Sequence, residues 1–186
     1  LGSLEKVYFI VQRADGSYQL GPGLLELSSI YQDSFDLRQF VQPALERLVS
    51  ETGEGATFFV LEGGQQLCLF RVDGRQSIRD YSIRLGDRRP LDRGAAAETF
   101  RRFGPAEGPF RADTLVSTSF GSVNPEMGAL AAPVFAPGDR LVGVVTVSGP
   151  VSRLTPAHAA SIIPILVREA RGLSLMLGAS PGLIRP

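Results

Sequence analysis

EMGALAAPVFAPGDRLVGVVTVSGP, residues 126–150, predicts two apolar strands joined by a tight turn. The first strand spans Ala129 to Phe135, and the second, rich in β-branched residues, spans Leu141 to Ser148. Between them, Pro137 fixes its own φ angle and Gly138 permits a positive one, as turns require. Because both strands are almost continuously apolar, we expect them at the centre of a sheet that is covered on both faces.

The second strand carries two hydroxyl side chains near its end. Thr146 and Ser148 are two residues apart, so they project from the same face of the sheet. On an otherwise apolar floor, two such hydroxyls could orient a small polar ligand. The simpler alternative is that they bond to nearby backbone where the strand ends.

The composition is that of an ordinary globular protein. The 186 residues suffice for one domain with an appendage, and the 44% hydrophobic content and zero net charge indicate no nucleic-acid-coating surface. Cys68 and His158 are the only residues of their kinds, which excludes a cysteine zinc cluster and a multi-histidine metal site. We expect no cofactor. With no secretory signal and no apolar run near the ~20 residues of a membrane span, we expect a cytoplasmic protein without a membrane partner.

The first third of the chain predicts a hairpin followed by helices. Val7 to Leu20 is β-prone and contains the turn signal Asp15-Gly16. Leu24 to Tyr31 predicts a short helix, and Leu37 to Glu51 a longer one that Pro43 kinks or delays. A lone hairpin is only marginally stable, so this one must pack against other residues.

Three more strands are predicted before the central pair. Ala56 to Leu61 and Gln65 to Val72 flank a glycine-containing turn, and both alternating sets of the second run are apolar. That strand is therefore central, and Cys68 within it is expected to be buried and inert. Ser77 to Leu85 predicts a more exposed strand.

Two helices complete the prediction. Leu91 to Phe103 is helical, with small residues over 94–97 in its first turns. Small residues leave backbone N–H groups uncovered, which suits a carboxylate, although close packing against the sheet is the alternative. Thr155 and Pro156 begin a long C-terminal helix that ends at Gly178, before a short tail.

Basic residues concentrate in one part of the chain. Arg71 to Arg111 holds ten arginines against six acidic residues. Local ion pairs on a solvated face explain such a run most simply. A rim that steers carboxylates is the functional alternative.

Several sequence blocks together resemble a known family, the IclR-type bacterial transcription regulators. The most specific are LAAPV at residues 130–134 and TVSGP at 146–150, the latter followed by Arg153-Leu154-Thr155. The resemblance runs as far as residues 173–178 and covers nearly the whole chain. The other blocks are SYQLG at 17–21, PAL at 43–45 with TGE at 52–54, and GDRRPL at 86–91.

The resemblance implies an α+β fold. It would be a GAF/profilin-like antiparallel sheet flanked by helices and preceded by the β-hairpin wing and linker helix of a winged helix-turn-helix. The implied domains are a hairpin remnant at 1–21, a linker helix at 22–35, an effector-binding and oligomerisation domain at 36–180, and a tail at 181–186.

The resemblance also implies a function and its partners. Such a domain would sense a small organic or aromatic acid, form a homodimer or tetramer, and modulate DNA binding through an N-terminal domain largely absent from this chain. The expected ligand-binding residues are two backbone amides at a helix start, two apolar residues of the sheet with Val144 nearby, and the two hydroxyls. They are Ala95, Ala96, Ala129, Leu130, Thr146 and Ser148.

Two alternatives remain at this point. The segment over 99–126 is shorter than the corresponding family segment, so the domain could be a degenerate, ligand-free scaffold that serves only oligomerisation. A hydrolase using Ser148 or Ser152 with His158 would need a nucleophile elbow, and no G-x-S-x-G motif is present. We therefore expect no enzyme and no catalytic residue.

Overall fold

The computed structural model describes residues 2–34, 37–76 and 83–185. The chain divides into two compact units, Leu1–Arg38 and Gln39–Pro186. The predicted boundary at residues 35 and 36 lies outside the described residues, as does most of the strand predicted for Ser77 to Leu85. The described end of that stretch, from Ile83, is a loop and a turn.

The first unit contains the predicted hairpin and helix. Helix α1 (Gly2–Lys6) precedes strands β1 (Ile10–Gln12) and β2 (Tyr18–Leu20), which pair antiparallel, and helix α2 (Gly23–Ser34) follows. The strands are shorter than predicted because Val7 and Tyr8 form a turn that closes α1, with the Tyr8 N–H donating to the Glu5 carbonyl at 3.0 Å. Their roles as wing and linker stay predictions.

The second unit is built on a six-stranded antiparallel sheet with the order β5-β4-β3-β9-β8-β7. The predicted central pair, β8 and β9, extends beyond its predicted ends, and its turn contains Gly138 at a φ of 75°. A separate pair of short parallel strands, β6 and β10, lies outside this sheet. The strands are β3 (Gly55–Glu62), β4 (Gln65–Val72), β5 (Arg88–Arg89), β6 (Phe110–Arg111), β7 (Ser117–Phe120), β8 (Met127–Ala136), β9 (Arg140–Pro150) and β10 (Ile184–Arg185).

The described residues of this unit form three α-helices, α3 (Arg38–Thr52), α4 (Ala95–Phe103) and α5 (Pro156–Met176). Thr155 caps α5 by accepting a hydrogen bond from the His158 N–H, as predicted. Helix α4 begins four residues later than predicted. Gly94 has a φ of 94°, which is outside the helical region, and residues 91–94 form bends instead.

The two faces of the sheet carry different layers. Helix α4 covers the face of Phe59, Ala131 and Val144. Residues alternate between faces along a strand, so Leu130 and Val147, both fully buried, belong to the opposite face. Helix α5 lies against the same two strands and covers that face.

The structure corrects the prediction of a C-terminal tail after α5. Leu183 and Ile184 are buried in a cluster with Phe103 and Phe135, and β10 pairs with β6. The apolar side chains of Leu183 and Ile184 occupy a hydrophobic site next to α4, so this segment is packed against the domain.

Candidate ligand-binding site

A cavity of about 370 Å³ lies between the start of α4 and the sheet. This volume is typical of sites for small organic molecules. Its floor is formed by residues of β3, β9 and β8, and its rim by the loops that precede α4 and β8. The lining includes Phe59, Gln66, Ala95, Ala96, Ala97, Ser119, Ala129, Thr146 and Ser148.

The first turn of α4 presents bare backbone donors to this cavity. Gly94 is the N-cap residue and supplies no side-chain hydrogen bond. The first N–H that bonds within the helix is that of Glu98, which donates to the Gly94 carbonyl at 3.0 Å. The N–H groups of Ala95, Ala96 and Ala97 have no hydrogen-bond acceptor among the described residues, and the helix dipole adds positive potential there.

The two predicted hydroxyls lie on the cavity floor but differ in bonding. Thr146 Oγ1 donates to the Thr57 carbonyl at 3.3 Å, which is the simpler role predicted from the sequence. Ser148 Oγ has no hydrogen-bond partner in the described part of the chain, although only 5% of the residue is exposed. Since buried hydroxyls are normally bonded, this one is available to a ligand.

The structure brings most predicted site residues together. Ala95, Ala96 and Ala129 line the cavity with the two hydroxyls, although ligand binding by any of them stays a prediction. Leu130 was expected in the wall and is instead on the opposite face, because it follows Ala129 in the strand. Val144 also lies outside the lining, beneath α4.

Sequence reasoning missed three polar residues of the lining: Gln66, Ser119 and Asn124. Gln66 is 5% exposed, and its Nε2 donates to the Pro90 carbonyl at 2.9 Å. The sequence does contain a signal for this inward position, since Gln66 is the polar member of an alternating set that continues with Cys68. The position of Ser119 in the lining follows from strand pairing, because Ser119 in β7 lies opposite Ala129 in β8.

The arginine-rich stretch forms local ion pairs, as its simpler interpretation predicts. Arg71 Nε lies 2.9 Å from an oxygen of Asp73, and Arg93 Nε lies 3.7 Å from one of Asp92. Arg93 and Arg89 also line the cavity. The two interpretations are therefore compatible: the arginines pair locally, and two of them border the cavity.

A buried ion pair holds the far end of β9. Glu54, with 4% of its side chain exposed, accepts two hydrogen bonds from Arg153, at 2.6 and 2.8 Å. Hydrogen bonding to Glu54 raises the pKa of Arg153. A Cβ at Gly149 would lie 2.3 Å from the Glu54 carboxylate, so only glycine fits between this pair and Ser148.

Cys68 and His158 play no part in the cavity. Burial raises the pKa of the Cys68 thiol to about 12, so it is unreactive, as predicted. His158 Nδ1 lies 3.0 Å from the Arg153 carbonyl oxygen. Within the described residues, no group of three metal-ligating side chains occurs, and no helix is long and apolar enough to cross a membrane.

Comparison with known sequences finds helix-turn-helix regulators. The chain is 32% identical to the HTH-type transcriptional regulator KipR of Bacillus subtilis, over 58% of this chain and 42% of that protein. It is 27% identical to the probable HTH-type transcriptional regulator ArcR of Halobacterium salinarum, over 93% of this chain and 77% of that protein. No family model matches the chain.

Comparison with solved structures finds folds of one kind of helix-turn-helix regulator. The chain matches the crystal structure of Thermotoga maritima IclR with a TM-score of 0.79 at 20% identity, over 95% of this chain and 83% of that one. Further matches include other IclR-family regulators and an isolated C-terminal domain of a transcriptional regulator. The resemblance seen in the sequence is thus confirmed, and the fold is that of the IclR-type regulators. These similarities support a domain of a transcription regulator and not an enzyme.

Proposed function

We propose that this chain is the effector-binding and oligomerisation part of a transcription regulator, and that its cavity binds a small organic or aromatic acid. One observation supports this most directly. Three unpartnered backbone donors, of Ala95 to Ala97, and the unpartnered hydroxyl of Ser148 border the same cavity. Donors without acceptors, at the positive end of a helix, are complementary to a carboxylate.

In this proposal each group has a role. The N–H groups at the start of α4 donate to the carboxylate, and Ser148 Oγ donates to it from the floor. Hydrogen bonds to a charged acceptor are stronger than neutral ones. Phe59 and Ala129 supply apolar surface for the carbon skeleton. Burial of that skeleton adds roughly 25 cal/mol per Å² of apolar area.

Regulation would follow from differential affinity. An effector that binds one arrangement of an oligomer more tightly shifts the population toward it and thereby changes DNA binding. In this proposal DNA is contacted through a winged helix-turn-helix, of which β1 and β2 form the wing. A ligand-free scaffold would have a closed pocket, whereas the cavity measures about 370 Å³.

The test is a thermal-shift and calorimetric screen of the chain against small aliphatic and aromatic carboxylates. A ligand at 100 times its dissociation constant stabilises by about 2.7 kcal/mol, which raises the melting temperature measurably. Ser148→Ala should weaken a hit about tenfold, since it removes a hydrogen bond to a charged group. Replacing the carboxylate by a carboxamide should weaken it as well.

Ser152→Ala is the matched control, because Ser152 is an exposed serine in the loop after β9. It should bind every hit like the wild type. The proposal fails if no carboxylate raises the melting temperature, or if Ser148→Ala binds the hits as tightly as wild type does.

A further inference from the structure

An open groove lies along helix α5, and it shares no described lining residue with the ligand cavity. It measures about 630 Å³ and runs between α5 and the single helical turn that follows β6. Helix α5 packs one side against β8 and β9, and the groove follows another side of the same helix. The apolar part of its lining consists of Ala112, Ile163, Pro164, Val167 and Leu175.

The apolar residues of α5 form a stripe. Ile163, Val167 and Leu175 lie four or eight residues apart, so they follow one side of the helix for about 18 Å. Leu175 is 42% exposed, and its neighbour Met176 is 47% exposed. Covering this stripe with another apolar surface would remove it from water, which is favourable.

The groove also contains charges of both signs. Arg171 forms no ion pair with any described residue, although it lines the groove. Asp113, on the opposite wall, pairs with Arg111 at 2.6 Å and keeps 58% of its side chain exposed. A two-fold axis presents the same patch to both partners, so a patch with an unpaired cation and an exposed acid is complementary to a second copy of itself.

The charges fit a second copy better than an acidic partner. Arg168, the other cation of the groove, already pairs with Glu51 and Glu169 within the chain. Asp113 would repel an acidic surface placed in the groove. Only Arg171 would then attract it, whereas a second copy offers an acid for Arg171 and a cation for Asp113.

Gly172 supplies a third argument for close contact at this face. Glycine is a poor helix former, yet Gly172 lies inside α5 and lines the groove. A Cβ built there would meet no atom of another described segment within 4 Å, so packing within the chain does not require glycine. A glycine on an open helix face allows the backbone of a partner to approach closely.

We propose that this groove is an interface between two copies of the chain. The apolar stripes of the two α5 helices pack on each other, and Arg171 of each copy pairs with Asp113 of the other. This inference rests on the oligomerisation part of the proposed function, to which it assigns a surface. It does not depend on ligand binding in the cavity.

The first test is analytical ultracentrifugation of the whole chain, which gives the dissociation constant of the oligomer. Leu175→Glu places a charge in the stripe and should weaken association by roughly tenfold or more. Leu61→Glu is the matched control, because Leu61 is an apolar residue of β3 that is 50% exposed and lies outside the groove. It should associate like the wild type, and circular dichroism should show both variants folded.

The second test exchanges charges between the copies. Arg171→Asp alone and Asp113→Arg alone each place like charges across the interface, so each should associate roughly tenfold more weakly than the wild type. An equal mixture of the two variants should recover the association, because a mixed dimer has opposite charges at both contacts. An ion pair within one chain would give no such recovery on mixing.

The inference is overturned if the wild type forms an oligomer that Leu175→Glu does not weaken, or that Leu61→Glu weakens equally. It is also overturned if the mixture of charge variants stays as dissociated as its components, and this test decides the matter if Leu175→Glu does not fold. A monomeric wild type would overturn it together with the oligomerisation part of the proposed function. Ligand binding is judged separately by the carboxylate screen.

Discussion

The two faces of strands β8 and β9 differ although they share one backbone. On the face under α5, Leu130, Val145 and Val147 are fully buried and apolar. On the other face the alternate positions include Thr146 and Ser148, and a cavity adjoins them. One face is packed and the other leaves space, so this pair of strands separates a packed layer from a cavity by alternation alone.

The two faces also differ in their contributions to stability. A packed apolar layer contributes stability through burial and dispersion. The cavity face instead keeps three buried hydroxyls, of Thr57, Ser117 and Ser148, without partners in the described chain. Such groups cost stability, and departures of this kind are expected at functional sites.

The largest predicted effect concerns Cys68, on the cavity face beneath α4. Its pKa is raised from 9.0 to about 12 by burial. At pH 8 the native thiolate should therefore be about a thousandfold scarcer than in the unfolded chain, and alkylation by iodoacetamide correspondingly slower. The raised pKa also means that the thiol's contribution to stability is intact below pH 9 and declines as the pH rises toward 12.

Mass spectrometry of the alkylated chain, with and without urea, measures this ratio at a single site because Cys68 is the only cysteine. A native rate within about tenfold of the unfolded one, a single pKa unit, would show that water reaches the floor beneath α4. The contrast between the cavity and the closely packed residues next to it would then be lost.

The next effect is Leu130→Ala on the packed face. Removing a fully buried leucine side chain should cost about 3 kcal/mol of unfolding free energy. That corresponds to a melting temperature lower by about 6–12 °C in a chain of this size. Binding of a carboxylate hit to the folded protein should change by less than about twofold, since Leu130 does not line the cavity.

Ser148→Ala is the opposite case, because it removes an unpartnered hydroxyl. Its unfolding free energy should be unchanged or higher by up to about 1 kcal/mol, while carboxylate binding weakens. If instead Leu130→Ala weakened binding and Ser148→Ala unfolded the chain, the division between the faces would be wrong.

Arg153→Gln sharpens the comparison at the edge of the packed face. Glu54 would remain buried without its partner, at a cost of about 2 kcal/mol, below the 3–5 of a fully buried pair because Arg153 is 29% exposed. Arg111→Gln removes an exposed partner of Asp113 and should leave the unfolding free energy nearly unchanged, because solvent screens an exposed ion pair. Chemical denaturation of both variants gives the two values, and equal losses would contradict the burial argument.

Much of this division could be predicted from the sequence. The apolar runs around residues 129–135 and 141–148 predicted central strands, and the spacing of Thr146 and Ser148 put them on one face. The small residues at 94–97 pointed to a bare helix start. These features are local, so strand alternation and capping rules suffice to find them.

The errors arose where neighbours in space decide the outcome. The prediction that Leu130 lines the cavity is wrong, because alternation places Leu130 on the other face from Ala129. The sequence does not predict Gln66 in the lining, because its position depends on the Pro90 carbonyl, which a loop brings near. The sequence predicts that α4 starts at Leu91, because helix propensity alone does not show that Gly94 adopts a φ of 94°.

The anchoring of the last strand has a practical consequence for recombinant work on this domain. A boundary drawn where α5 ends would delete Leu183 and Ile184, which fill a site beside Phe103 and Phe135. The aromatic surface left behind would promote aggregation during expression. The carboxyl-terminal boundary of a stable fragment therefore lies after Arg185, and an affinity tag is better placed beyond it, on a flexible spacer.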